Sequence, residues 1–212
     1  MPNFLLVPIG TKTGLTSISL GLVRALQQSG RKPAYFKPVA HTPLNEQGVE
    51  AATHFAAELF LLNPPQPLPL STVESMIAAG NDDDLIELMV ANYNRADAAD
   101  HDVMIIEGVV PDSERSYLAD KNAQIANAIN ARVVLVVDAK GASLSVLAMI
   151  HGFLTLYPNS GIRGVILNQC SAMLYPQLAE AIRSRLGVRP LGFLPRLKDC
   201  VLESRHLGLV TA

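Results

Sequence analysis

Apolar and polar positions follow two rhythms along this chain. Short apolar runs end abruptly in a polar residue or a proline, and the stretches between them bring an apolar residue back every three or four positions. The runs are Phe4–Val7, Pro33–Lys37, Val103–Ile106, Arg132–Val137, Gly164–Leu167 and Pro190–Leu194, each with the length of a buried strand. The first is followed by SISLGLVRALQQSG, with Leu15, Ile18, Leu22, Ala25 and Leu26 on one helical face and Gly30 as the stop. Further helices are predicted around Val49–Leu62, from Ser71, from the acidic triplet Asp82-Asp83-Asp84, over Asp120–Asn130, over Ser143–Tyr157, and from about Leu174 to Leu186 with Gly187 as cap. Glu74, three residues after Ser71, completes the pattern of a capping box. The proline-rich NPPQPLPL at 63–70 reads as a loop. Six apolar strands alternating with helices predict an α/β fold. The expected form is a doubly wound, mostly parallel sheet of about six or seven strands with helices on both faces, as one domain over 1–212.

The stretch NFLLVPIGTKTGLTS, residues 3–17, is the organising one. Strand, glycine-containing loop and helix follow one another, which is the context a phosphate-binding loop needs. Gly10 and Gly14 let the backbone curl so that several N–H groups converge, and the helix adds the positive end of its dipole. Gly10, Thr11, Lys12, Thr13, Gly14, Thr16 and Ser17 are therefore the candidate phosphate ligands. Thr16 or Ser17 stands where a hydroxyl holds Mg²⁺. The usual motif closes Gly-Lys-Ser/Thr, whereas this chain reads Gly14-Leu15-Thr16. The lysine that spans the outer phosphates is replaced by leucine, and Lys12 is the lysine available to stand in. A tight strand-to-helix turn with glycines for packing is the competing reading.

Several strands end in a polar residue: Lys37, Glu107, Asp138 and Asn168. Open α/β sheets place their ligands at that rim. An acid closing an apolar strand, as Glu107 does, is the position of the acidic partner of Mg²⁺ beside a phosphate loop. Asp82, Asp83 and Asp84 open a helix, where acids are ordinary dipole partners. The five histidines share no metal spacing; His54 and His151 fall inside helices.

Composition narrows the function classes. Apolar residues make up 49% and charged residues 17% of 212, which excludes a disordered chain. A net charge of −2 gives no electrostatic reason to expect nucleic acid or an anionic membrane. Met1-Pro2-Asn3 lacks the basic start of a signal peptide, and no apolar run approaches a membrane span. Cys170 and Cys200, in no metal spacing, fit a reduced cytoplasmic setting as apolar fillers.

Residues 1 to about 136 resemble the N-terminal domain of long-form phosphate acetyltransferases, in VPIGTKTGLTSISLGLVRA, FKPVA, VESMIAAGNDDDLIELMVANY, IIEGVVP and NAQIANAINARVV. That family also has Gly-Leu-Thr in place of Gly-Lys-Thr. From about residue 137 the chain is similar to the N-terminal, ATP-using domain of cobyrinic acid a,c-diamide synthase, in VVDAKGASLSVLAMIHGF, GVILNQCSAMLYPQL, LGFLPRL and LESRHLGLVTA. Both families share the dethiobiotin-synthetase-like P-loop fold. The resemblance implies that residues 10–17 take the phosphates of ATP, that Lys37 faces the phosphate or substrate, and that Thr16 and Glu107 hold Mg²⁺. It also implies that Asn168 contacts the adenine with Pro195 near the same end. Homodimerisation is a further family expectation.

The same resemblance exposes departures. VAHTPLNEQG stands where diamide synthases carry a Gly-Pro-Asp-Tyr segment, and VVPDSERSYLAD offers Asp112 without that family's acidic spacing. A C-terminal catalytic domain, in either family, lies outside these residues. The leading expectation is a degenerate nucleotide-binding module that regulates or assembles a larger enzyme. An ATP-dependent ligase using Lys12 and Lys37 is the alternative, and a domain that keeps the fold without the ligand is a third. A partition-type ATPase fits less well, since Val7-Pro8-Ile9 stands where such proteins need a lysine.

Overall fold

The strand and helix rhythms resolve into alternating elements in the computed structural model. It describes residues 1–40, 48–97, 100–110 and 118–196, together with the backbone of two short strands at 204–205 and 208–209. Six strands form one sheet: β1 (Asn3–Ile9), β2 (Pro33–Phe36), β5 (Val103–Glu107), β6 (Arg132–Asp138), β7 (Ile162–Asn168) and β8 (Arg189–Phe193), in the order β2-β5-β1-β6-β7-β8. The pairings β2 with β5, β6 with β7 and β7 with β8 are parallel. Helices cover both sides of this mostly parallel sheet, as the sequence predicts.

Burial explains why the strands read as unbroken apolar runs. All of Val103–Glu107 is buried, as are Val133–Val137 and Gly164–Leu167. A strand covered on both faces has no polar side to alternate with. Lys37, Glu107, Asp138 and Asn168 each close or directly follow a strand, so the boundaries read from the sequence hold where they matter for chemistry.

The chain divides into two compact units. The first holds Met1–Phe4, Thr16–Val109 and the last residues from Leu202. Its helices are α1 (Leu15–Gln28, whose first residue counts with the other unit), α2 (Ala51–Phe60), α3 (Leu70–Ala78) and α4 (Asp82–Asp97). In α1, Leu15 and Ile18 are buried and Leu22 and Leu26 half-buried on the predicted face; Ala25 is exposed instead, and Val23 is buried in addition. The proline-rich stretch is not all loop. Its Leu68–Pro69 forms β4, which pairs in parallel with β3 (Val39–Ala40), and Leu68 N donates to Pro38 O at 2.9 Å. The predicted capping box at Ser71 does not form. Pro69 occupies the cap and no side chain caps the helix; α3 starts one residue early, with Ser71 inside it and its carbonyl accepting from the Ser75 hydroxyl. Proline has no side-chain oxygen to offer the first amides, so the cap position carries no side-chain bond. Asp82, Asp83 and Asp84 fill the first turn of α4, as dipole partners do.

The second unit holds Leu5–Leu15 and Val110–Val201. It contains α5 (Ala119–Ala128), α6 (Ser145–Leu156) and α7 (Tyr175–Ala181), which continues as a π-helical turn over Ile182–Leu186. Gly187 closes that turn at φ 66°, the left-handed cap expected of it. Cys170 is fully buried and unbridged, an apolar filler as expected. Asp112, His41, Cys200 and His206 lie outside the described residues.

Candidate functional site

In the first unit, the polar strand ends converge on one buried cluster. Glu107 closes β5 and Lys37 follows β2, the neighbouring strand. The Lys37 ammonium lies 3.0 Å from Glu107 Oε1 and donates to Glu50 Oε1 at 2.9 Å. Thr16, in the first turn of α1, donates its hydroxyl to Glu107 Oε1 at 2.7 Å. Tyr35 donates its phenol to Glu107 Oε2, also at 2.7 Å. Glu50 is the N-cap of α2: its Oε2 accepts from Thr53 N at 2.8 Å and from the Thr53 hydroxyl at 3.1 Å. Tyr35, Lys37, Glu50, Thr53 and Glu107 are all at most 5% exposed.

Two carboxylates share one ammonium out of water. Each buried charge is costly alone and tolerable only when paired and hydrogen-bonded. Burial by itself pulls the Lys37 pKa down, but Glu107 and Glu50 outweigh it and leave the group above its ordinary value. Burial pushes Glu50 up; the Lys37 charge and the hydrogen bonds from Thr53 N, Lys37 and Ala52 N overcome this and hold it below the ordinary value. Burial, then the neighbouring Glu107, pushes Tyr35 well above its ordinary value, so its phenol keeps its proton and remains a donor.

Glu50 and Tyr35 are the members that sequence reasoning missed. Tyr35 sits two residues before Lys37 in a strand, and the period of two puts both side chains on one side, a signal that was available. Glu50 precedes the apolar run AATHFAA. Glutamate is not among the favoured N-cap residues, so nothing local marked it as the cap.

In the second unit, the loop between β1 and α1 carries three positive φ angles in five residues: Gly10 at 90°, Lys12 at 56° and Gly14 at 76°. Alternating left-handed residues turn successive backbone N–H groups toward one side, the concavity that accepts anions. Lys12 adopts that conformation without being glycine and is exposed, as is Thr11; Thr13 is buried. Asn168 closes β7 and donates Nδ2 to Thr13 O at 2.8 Å, while its Oδ1 accepts from Gln169 N at 2.9 Å. Leu194 N donates to Leu167 O at 2.9 Å and Cys170 N to Leu194 O at 3.0 Å, which puts exposed Pro195 next to the Asn168 end of β7. Asp138 turns inward on its own loop, accepting from Lys140 N at 2.9 Å. Ser17 is exposed in the first turn of α1.

Among the described residues, no three His, Cys, Asp or Glu side chains cluster closely enough to hold a metal on their own. Thr16 and Glu107 nevertheless offer the hard oxygen donors that suit Mg²⁺, an ion that takes few protein ligands and completes its shell with water and phosphate.

The parallel sheet agrees with the solved structures that the chain resembles in fold. Residues 2–204 match the family described as AAA domain. The chain belongs to that AAA domain family. Phosphate acetyltransferase of Pseudomonas aeruginosa is 42% identical over 145 residues, covering 68% of this chain and 20% of that protein. Phosphate acetyltransferase of Deinococcus radiodurans is 32% identical over 203 residues, 93% of this chain and 28% of that protein. The chain thus spans about a fifth to just over a quarter of the length of these relatives. An alignment that covers 93% of the chain passes residue 136, so the likeness to phosphate acetyltransferases also runs through the part whose motifs resemble diamide synthases. In fold, the chain is similar to the signal recognition particle receptor FtsY from Elizabethkingia anophelis, with a TM-score of 0.63 at 14% identity, over 99% of this chain and 62% of that one. This AAA domain therefore has P-loop architecture and is related to the N-terminal region of phosphate acetyltransferases. No described helix is long and apolar enough to cross a membrane.

Proposed function

We propose that this AAA domain binds ATP with Mg²⁺ and acts as a regulatory or assembly module of a phosphate-acetyltransferase-type enzyme, without itself transferring phosphate. Residues 10–17 take the phosphates, and Thr16 with Glu107 holds the ion, whose charge neutralises the phosphates. Asn168 and Pro195 take the adenine end. Catalysis then belongs to a C-terminal domain outside these residues, in keeping with the greater length of the relatives.

The observation that carries this reading is the position of Lys37. Its ammonium is buried between Glu50 and Glu107 at 2.9 and 3.0 Å. Phosphoryl transfer in P-loop proteins uses a lysine beside the metal ion at the moving phosphoryl group. Leu15 has no charge to supply, and Lys37 is committed to two carboxylates. What remains suits binding and positioning better than chemistry. One observation favours the ligase alternative: Lys12 stands exposed on the curled loop, within a few residues of Thr16.

Thermal melting with ATP, ADP or NADH, each with and without Mg²⁺, combined with an assay for phosphate release, tests the proposal. A ligand at ten times its Kd raises stability by about 1.4 kcal/mol. The expected result is a Mg²⁺-dependent shift with ATP and no phosphate release. No shift with any nucleotide at millimolar concentration sinks the proposal. Release that vanishes in Lys12→Ala moves the ligase reading to first place.

A further inference from the structure

We infer that Asn168 is a positioning residue that sets the shape of the phosphate loop, beyond any contact it makes with a base. The inference rests on the reading of residues 10–17 as that loop. It starts from a contact between residues 155 positions apart, the hydrogen bond from Asn168 Nδ2 to Thr13 O. The same carboxamide accepts from Gln169 N through Oδ1. One side chain thus donates from one atom and accepts at another, which Asn does and an ionised Asp or a Leu does not. The amide orientation is fixed by these partners. Flipped, Oδ1 would face the Thr13 carbonyl oxygen and Nδ2 would face the Gln169 N–H, two repulsive pairs in place of two bonds.

The surroundings hold this side chain in place. Gln169 takes φ 54°, a left-handed conformation uncommon outside glycine. It keeps that conformation because the segment is tied on either side: Ala139 N donates to Asn168 O at 2.8 Å and Cys170 N to Leu194 O at 3.0 Å. Backbone strain of this kind persists where the surroundings over-determine it, and it gathers at functional sites. The loop is shaped to match from its own side. A Cβ at Gly14 would stand 2.4 Å from Asn168 Nδ2, and Gly14 has φ 76°. Glycine at 14 is therefore required twice, once for the curl and once to admit the carboxamide. Pinning the Thr13 carbonyl fixes the peptide that ends in the Gly14 N–H, and so the aim of that donor toward an anion.

The consequence is a link between the end of β7 and the loop, which separates Asn168 from a residue that only reads a base. Tripolyphosphate, which has phosphates and no base, is the probe. The variants are Asn168→Asp, nearly isosteric but without the Nδ2 donor, and Asn168→Ser, which is too short to reach and is used should the aspartate not fold. Amide hydrogen exchange is followed without ligand over a peptide spanning the loop, with peptides from β5 and β6 as internal controls. Binding of tripolyphosphate and of ATP with Mg²⁺ is then measured by calorimetry. The expected result is loop exchange faster by about tenfold or more with the controls unchanged, and affinity for both polyphosphates reduced by about tenfold, the scale of one lost hydrogen bond. Loop exchange equal to that of the parent protein overturns the inference. So does weakened ATP binding with tripolyphosphate binding untouched, which would make Asn168 a base contact alone. If the parent binds neither polyphosphate, the nucleotide reading fails, and faster loop exchange in the variant still establishes the positioning role.

Discussion

Thr16 and Glu107 stand 91 positions apart and are joined by a 2.7 Å hydrogen bond from the threonine hydroxyl to Oε1 of the carboxylate. The bond ties the first turn of α1 to the last residue of β5. Thr16→Val keeps the shape and removes the hydroxyl. Its expected effect is loss of the Mg²⁺-dependent part of ATP stabilisation, with any Mg²⁺-independent part retained. Fold stability should fall by about 1.5 kcal/mol, because a hydrogen bond to a charged acceptor is lost while Glu107 keeps its other partners. Thermal melting with ATP, with and without Mg²⁺, reads the first effect and urea unfolding the second.

Charge counting ranks substitutions in the cluster. Glu50→Gln or Glu107→Gln leaves one carboxylate facing Lys37, a balanced pair. Lys37→Met leaves two buried carboxylates with no cation between them. Removing one partner of a buried pair costs about 3–5 kcal/mol. Lys37→Met is expected at or above that range and clearly above Glu107→Gln. Equal losses on chemical denaturation would contradict the charge argument.

Stability should form a plateau between about pH 4.5 and pH 10 and fall on both sides. Glu50 is held below its ordinary 4.5, so the unfolded chain takes up its proton first as pH drops and stability is lost below that value. Tyr35 and Lys37 lie above their ordinary 10.0 and 10.5. The unfolded chain therefore releases those protons first, and stability is lost as pH rises past 10. Denaturation midpoints across pH test this, and Tyr35→Phe should shallow the alkaline limb without moving the acid one.

Lys12 is exposed on the loop, so its removal should not disturb the core. Lys12→Ala is expected to lower ATP affinity by about tenfold, with the loss shrinking at high salt as screening weakens the charge in the parent protein. Calorimetry at two salt concentrations measures this. An unchanged affinity would show that the loop binds through its backbone alone.

The backbone of this site was more legible than its connections. Strand, glycine loop and helix over residues 3–17 stand out because apolar runs and closely spaced glycines are local signals. Lys37 and Glu107 were legible because a charge ending an apolar run is conspicuous. Their mutual contact was not, since pairing β2 with β5 is a choice of strand order that no local pattern encodes. Glu50 hid as an atypical helix cap. The bond from Asn168 to Thr13 depends on a loop conformation that glycine spacing permits without specifying. The β3–β4 pair was lost because two-residue strands carry no period, and one of them contains proline.

Glu50 gives one oxygen to the Lys37 ammonium and the other to the Thr53 amide at the start of α2. Neutralising a lysine and beginning a helix are therefore one interaction in this domain, held by a single rigid group. No single substitution at 50 can apportion its cost between them, and energies measured at 37, 50 and 53 will not add. Anything that draws the ammonium away is felt at the start of the helix, 13 positions along the chain, where fraying reports it.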